Sequence, residues 1–274
     1  MSATVTRVVK LGGEVIRGAR LGEVAKQIAA LDVGSSEVDA RVVVVHGGGP
    51  QTSALQKALG QTPNIVGGRR ITDDAALEAI KMAVAGVANV DLCAALLAAG
   101  VRPIGLHGGS SAVIRAVQRP PRVVSGAGPD PIHMGHVGDV VGFERDLLEE
   151  LLSLGYVPVL ACLGADAAGR IYNINADIVA TRLAVALGAA DLFLLMDAPG
   201  VLRDKNDPAT RIERLKIAEA QALIAEGVVD GGMIPKLEES FEALRGGVAR
   251  VHLLSDALPS AAEAPGTVGT LLTL

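Results

Sequence analysis

Aromatic side chains are scarce in this sequence: 274 residues include no tryptophan, three phenylalanines and two tyrosines. Half of the residues are apolar, so the core must be built from Val, Ile, Leu and Ala. Cysteine is nearly absent. Cys93 and Cys162 are far apart with no C-x-x-C spacing, which leaves no basis for a disulfide framework, and both read as reduced core thiols of a cytosolic protein. Basic charge is not in excess either. A net charge of −5, a pI near 5.6 and few rings argue against a nucleic-acid partner, which calls for a basic surface and stacking platforms. The longest apolar runs, such as Val42–Val45 and Val157–Leu163, are strand-sized and too short to cross a bilayer, and Met1–Val9 lacks the apolar stretch of a signal peptide. No GxxxxGK[ST] loop occurs, and no complete G-x-G-x-x-G follows a strand.

What is present is an alternation of short apolar runs with helical patterns. Strands are expected at Val8–Leu11, Val42–His46, Pro103–His107, Val157–Leu163, Asp191–Met196 and Val251–Leu254. Near-continuous Val/Ile/Leu runs of this kind belong to parallel strands covered on both faces. Helices are expected around Leu21–Leu31, Gln51–Leu59, Glu144–Leu154, Asn175–Leu187, Ala218–Glu226 and Ile234–Leu244. Thr72–Asp73–Asp74 reads as the start of a helix over Ala75–Ala85, which Gly86 is expected to break before a second helix at Asn89–Ala99. Val113–Gly138, with Pro120–Pro121 and the Gly126–Pro131 stretch, reads as hairpins and loops, and Asp166–Gly169 as a turn. The pattern implies an α/β fold with a mostly parallel central sheet and helices on both faces. No internal repeat or linker is evident.

In open α/β sheets, ligands bind beyond the carboxyl ends of the strands. The segments that follow predicted strands are Lys10-Leu-Gly-Gly13, His46-Gly-Gly-Gly-Pro50, His107-Gly-Gly109 and Asp197-Ala-Pro-Gly200. Glycine loops of this type let backbone N–H groups approach a phosphoryl group, and a helix N-terminus adds a favourable dipole. Each element has a plainer reading on its own. A glycine loop can be only a tight turn, Lys10 a solvated strand end and Asp177 a favourable charge in a first helical turn. Arg70 beside Arg69 can be a solvated basic pair, Lys236 an exposed helix residue and Asn173 a turn residue. His133 and His136 stand three apart, but no third or fourth ligand is near, so no metal site is assigned. His46 reads as a residue that fixes the loop it begins, not as an acid or base.

Six segments together resemble the acetylglutamate kinases, members of the amino-acid kinase fold. They are Lys10-Leu-Gly-Gly, His46-Gly-Gly-Gly-Pro, Gly68-Arg-Arg70-Ile-Thr72, Ala85-Gly-Val-Ala-Asn89, Asn173-Ile-Asn-Ala-Asp177 and Asp230-Gly-Gly-Met-Ile-Pro-Lys236. The first two alone would indicate only the wider superfamily; the Gly68–Thr72, Asn173–Asp177 and Gly231–Lys236 elements point to the acetylglutamate branch. The resemblance covers nearly the whole chain and implies ATP-dependent phosphorylation of the side-chain carboxylate of N-acetylglutamate, a step of arginine biosynthesis. It implies that Lys10 and Lys236 stabilise the transition state from opposite sides, with Asp177 holding both. Gly13, Gly48 and Gly49 would donate N–H groups to phosphoryl oxygens. Arg70 would grip the α-carboxylate, and Asn173 would contact the acyl amino acid. Asp197, Gly231, Gly232 and Met233, with both lysines, would bind ATP, and Mg²⁺ would be held mainly by its phosphates.

The residue types suit that chemistry. A carboxylate nucleophile is already ionised at pH 7, so the enzyme's work is alignment of anions and neutralisation of spreading charge, which lysines and backbone amides can do. The sequence departs from the family pattern at Met196-Asp197-Ala198 and in His107-Gly-Gly-Ser-Ser111. A substrate lobe over residues 1–190 and a nucleotide lobe over 191–274 are expected. The competing readings are a kinase for an acylated α-aminoadipate, one methylene longer, and a non-catalytic sensor on the same fold. Only Met1–Arg7 precede Val8, too short for the extra N-terminal helix of arginine-inhibited, hexameric relatives, so a cytoplasmic homodimer indifferent to arginine is expected.

Overall fold

The computed structural model describes residues 4–33, 39–123 and 128–274. Residues 124–127, which include Gly126 and Ala127 of the Gly126–Pro131 stretch, and Met1–Ala3 lie outside the described residues. The strands in chain order are β1 (Thr4–Leu11), β2 (Asp39–His46), β3 (Ile65–Val66), β4 (Arg69–Arg70), β5 (Pro103–Leu106), β6 (Ile114–Gln118) and β7 (Gly138–Phe143). They continue with β8 (Val157–Ala161), β9 (Leu163–Ala165), β10 (Ile171–Asn173), β11 (Asp191–Leu195), β12 (Arg214–Lys216), β13 (Arg250–Leu254) and β14 (Thr270–Thr273). Eight of them form one sheet in the order β12-β14-β13-β11-β1-β2-β8-β5. Every pairing in it is parallel except β13 with β14.

Strand periodicity divides the core into two layers. Val8, Val43 and Val45 face one way, against the helix Ala176–Ala186. Val9, Leu11, Val42 and Val44 face the other, against the helices Leu21–Val33 and Asp74–Ala98. All four valines of Val42–Val45 are fully buried, which is why this run reads as uninterrupted hydrophobic sequence. A smaller sheet, β10-β9-β6-β7, and the β3–β4 hairpin lie outside the main sheet.

Two expectations are corrected. Gly86 does not break a helix: Asp74–Ala98 is continuous, with π geometry over Lys81–Ala88. Its inward residues Ile80, Ala83, Val84, Ala88, Leu92 and Leu96 are buried, and their packing overrides the roughly 1 kcal/mol that glycine costs in a helix. This helix is long and apolar enough to cross a membrane by length and composition, yet its inner face belongs to the core. The Val157–Leu163 run is also divided. β8 stays in the main sheet, whereas β9 joins the smaller one, antiparallel to β10. Both free cysteines lie in or against the core, and burial pushes each thiol up to about 11.

Candidate active site

β1 lies between β2 and β11, and Leu11 is level with His46 on one side and Leu195 on the other. The loops after these three strands therefore meet at one edge, where successive connections leave in opposite directions, the usual place for a ligand crevice. Lys10 shares a strand face with Val8, so its side chain points toward the helix Ala176–Ala186. Asp177 stands in the first turn of that helix, where a carboxylate suits the dipole. Its backbone N–H is accepted by the Asn175 side chain at 2.7 Å.

Lys236 belongs to the helix Met233–Arg245 and also occupies a first turn, where a cation opposes the dipole. That local disadvantage is offset by Asp177. Lys10 Nζ lies 2.7 Å from Asp177 Oδ1, and Lys236 Nζ lies 3.0 Å from Oδ2. One carboxylate thus holds two ammonium groups that reach it from a strand end and a helix start. Burial alone would raise the Asp177 carboxyl, but Lys10 and then Lys236 outweigh it and hold it down to about 2. The carboxylate is ionised at neutral pH.

A cleft of about 390 Å³ opens above this triad, lined by Lys10, Gly13, Asp197, Gly232, Met233 and Lys236 among others. Glu14, Val15, Pro50, Leu195, Met196 and Ala198 also line it; the sequence carried no signal for Glu14 or Val15 beyond their place after a glycine loop. Two ammonium groups beside backbone amides fit the phosphates of a nucleotide. A cavity of about 450 Å³ elsewhere is bordered by Glu238, Glu239 and Glu242 with Arg245, and three carboxylates make it a poor phosphate site.

Two of the glycines, Gly13 and Gly48, are sterically required, whereas a Cβ on Gly49 or Gly232 would meet nothing. A Cβ on Gly13 would fall 2.6 Å from Pro50 Cδ, and one on Gly48 would fall 2.8 Å from Val84 Cγ2. Gly231 adopts φ +55° in the turn before Lys236's helix and does not itself line the cleft.

Arg70 and Asn173 do not line this cleft; Arg70 packs on the helix Gly49–Ala58, whose Pro50 does, and Asn173 joins it through Thr72. The Arg70 guanidinium donates to Ser53 Oγ at 2.7 Å, to the Gly49 carbonyl at 3.3 Å and to Gln56 Oε1. Asn173 Nδ2 donates to Thr72 Oγ1 at 3.1 Å, and Thr72 donates to the Arg70 carbonyl at 3.3 Å. Asn173 ends a strand and is not a turn residue. Ser53, Gln56 and Thr72 are thus part of this cluster; only Thr72 stood within a motif legible beforehand.

Among the described residues, no three or more His, Cys, Asp or Glu side chains converge as a metal cage. His133 accepts the Gly135 N–H at 3.1 Å, and His136 pairs with Asp74 at 2.7 Å. His46 has no exposure and its imidazole is pushed down to about 4 by burial, partly opposed by its bond to Gly47. It is neutral and locked to its loop.

Residues 5–255 match the model of the amino acid kinase family. An acetylglutamate kinase of Sorangium cellulosum is 55% identical over 275 residues, covering 99% of this chain and 95% of the relative. Another from Anaeromyxobacter sp. is 54% identical over 271 residues, covering 97% and 98%. The carbamate kinase of Giardia shares the fold, with a TM-score of 0.71 at 17% identity over 99% of both chains. From the extent of the family match and the identity sustained along nearly the whole length, the chain belongs to the amino acid kinase family, in its acetylglutamate kinase branch.

Proposed function

We propose that the protein transfers the γ-phosphoryl group of ATP to the side-chain carboxylate of N-acetyl-L-glutamate, giving N-acetylglutamyl 5-phosphate for arginine biosynthesis. The observation that carries this reading is the Lys10–Asp177–Lys236 arrangement beneath the glycine loops, in a chain so similar to acetylglutamate kinases. The relatives' shared name favours acetylglutamate over an acylated aminoadipate, and both lysines with their carboxylate favour an enzyme over a sensor.

Lys10 and Lys236 neutralise charge on the transferred phosphoryl oxygens from two directions. Asp177 keeps the ammonium groups at a fixed separation, so no reorganisation is needed during transfer. Gly13, Gly48 and Gly49 supply N–H donors close to the reacting group. Arg70 receives the α-carboxylate as a planar fork, and Asn173 presents its amide to the acyl amino acid. The nucleotide lies over Asp197 and the Gly231–Met233 turn. Both Asp177 oxygens are engaged by lysines, so Mg²⁺ would be held mainly by the phosphates. When bound, it supplies further neutralisation of their charge. Residues 1–190 serve as the acyl-amino-acid lobe and 191–274 as the nucleotide lobe. ATP as co-substrate and two unpaired thiols suit the cytoplasm.

ADP release compared for N-acetylglutamate, glutamate and N-acetylaminoadipate tests the reading. N-acetylglutamate should give the highest kcat/KM, because the ammonium of free glutamate would sit unpaired against Asn173. Equal values for glutamate and N-acetylglutamate would sink it. In the same assay, Arg70→Lys should raise KM for the acyl amino acid by about tenfold, the scale of one lost charge-assisted hydrogen bond. KM for ATP should stay near its original value; a rise confined to ATP would move Arg70 out of the acceptor site.

Assembly as a two-fold dimer is part of this proposal. Met82, Val87, Val90 and Leu97 on the outer face of Asp74–Ala98 are 48–67% exposed, an apolar stripe suited to a second copy of the same helix. Light scattering should give two subunits, and Leu97→Glu with Val90→Glu should shift the mass toward one. A double variant that remains a dimer would place the interface elsewhere.

A further inference from the structure

His46 and Asn89 are buried polar residues to which the reaction assigns no role. Asn89 stands where the π segment Lys81–Ala88 gives way to α geometry; π turns inside helices recur at functional sites. Its amide is surrounded by groups that settle its orientation. Asn89 Nδ2 lies 3.1 Å from the Val159 carbonyl and 2.8 Å from His46 Nε2. A carbonyl can only accept, so the amide nitrogen faces Val159 and its second hydrogen faces the imidazole. At the other ring nitrogen, His46 Nδ1 lies 2.9 Å from the Gly47 carbonyl, again an obligatory acceptor. The two carbonyls together fix one tautomer: Nδ1 carries the hydrogen and Nε2 accepts. The surroundings are built around this pair. A Cβ on Gly105 would fall 2.0 Å from Asn89 Oδ1, so a side chain at this point of β5 would push the Asn89 amide out of its place.

We infer that His46 and Asn89 are positioning residues that aim the Gly48 N–H at the transferred phosphoryl group. A trans peptide unit is planar, so its carbonyl and N–H point in opposite directions. Holding the Gly47 carbonyl toward His46 therefore sets where the Gly48 N–H points. The Gly47 N–H is held too, by the Leu11 carbonyl at 3.1 Å, which ties this loop to the strand end next to Lys10. Asn89 acts one step further out by holding His46 in the tautomer that can donate to Gly47, the role a partner of the second ring nitrogen plays for any functional histidine. Val84, on the same helix, closes over Gly48 from the side. One helix thus sets the loop's peptide plane through Asn89 and its clearance through Val84.

This inference rests on the proposed role of the Gly48 N–H as a hydrogen-bond donor to the transferred phosphoryl group. Two substitutions separate it from simple core packing. In Asn89→Asp an acceptor replaces the N–H facing Nε2, so the neutral ring flips tautomer and turns a lone pair toward the Gly47 carbonyl. Its kcat should fall about a hundredfold, the scale of a misaimed group, with KM for N-acetylglutamate little changed. Activity should recover partly as pH falls, because imidazolium carries both hydrogens. The other titratable neighbour of Asn89, Cys93 at 3.8 Å from Oδ1, has its thiol pushed up to about 11 and stays neutral. The original protein should show no such acid recovery, since burial holds its His46 neutral to about pH 4.

The second comparison sets His46→Asn, which keeps a donor within reach of the Gly47 carbonyl, against His46→Gln, which keeps only the acceptor for Asn89. The Asn variant should retain the larger kcat. If the variants prove unfolded, ¹⁵N-histidine spectra of the original protein still decide, because His46 must be protonated at Nδ1 alone between pH 5 and 8. Wild-type turnover with an undiminished kcat in Asn89→Asp, or a spectrum showing the Nε2–H tautomer, would overturn the inference. Absence of wild-type ADP release would overturn the kinase reading itself.

Discussion

Lys236→Ala lowers kcat by about a hundredfold or more, the cost of removing one preorganised donor from a developing anion. The expectation follows from where the ammonium sits. It is in the first turn of its helix, against the dipole, and its partner Asp177 is already shared with Lys10. A lysine kept for stability alone would be better placed at the other end of the helix. Lys236 is also the more exposed of the two cations, with a side chain 25% accessible against 8% for Lys10. Its removal leaves Asp177 paired with Lys10, so the fold should tolerate it. The loss should appear in kcat more than in KM, because the interaction strengthens as charge spreads over the phosphoryl oxygens. Steady-state ADP release measures it, and near-normal turnover in the alanine variant would remove Lys236 from the chemistry.

The features that could be seen beforehand are those tied to strand ends. Val42–Val45 announced a buried parallel strand through its uninterrupted β-branched run. What followed that strand and Val8–Leu11 was legible as chemistry, since position at the carboxyl edge comes from topology and not from side-chain contacts. Lys10, Gly13, Gly48 and Asp197 were accessible in this way, whereas resemblance supplied the Gly231–Lys236 element and the pairing of both lysines with Asp177. Segments decided by tertiary packing were not legible. Gly86 looks like a break because propensity disfavours it, yet Ala83, Val84 and Ala88 bury the helix on both sides of it. Val157–Leu163 looks like one strand because apolar character runs through Cys162; nothing local reveals that β8 and β9 serve different sheets. Arg214–Lys216 and Thr270–Thr273 are too short and too mixed to register as strands. Gln56, which receives Arg70, carries no signal at all, because its role depends on a hairpin folding back over its helix.

Asp177→Asn should be the most damaging single change to the resting protein, and its effect on stability should depend on pH with a definite sign. The substitution preserves shape and removes only the charge. Lys10, almost fully enclosed, then becomes an unpaired buried cation, and breaking a buried ion pair from one side costs about 3–5 kcal/mol. For a chain of this length that corresponds to a fall in Tm of roughly 10 °C. Against burial, the two lysines depress the carboxyl's folded pKa to about 2 from its ordinary value of 3.8. The stabilisation it brings is therefore complete above about pH 5, where it is ionised in the folded and unfolded chain alike, and it disappears as pH falls through the folded value. Denaturation midpoints of original and variant should accordingly differ fully at pH 7 and converge toward pH 2. Saturating ATP should narrow the gap at pH 7, because phosphate oxygens take over as counter-charges to both lysines and binding favours the folded state. Turnover should still fall about a hundredfold, since lysines without a shared anchor lose their separation. A stability gap that is unchanged between pH 7 and 3 and insensitive to ATP would show that Asp177 contributes through packing, and that the lysines hold their places without it.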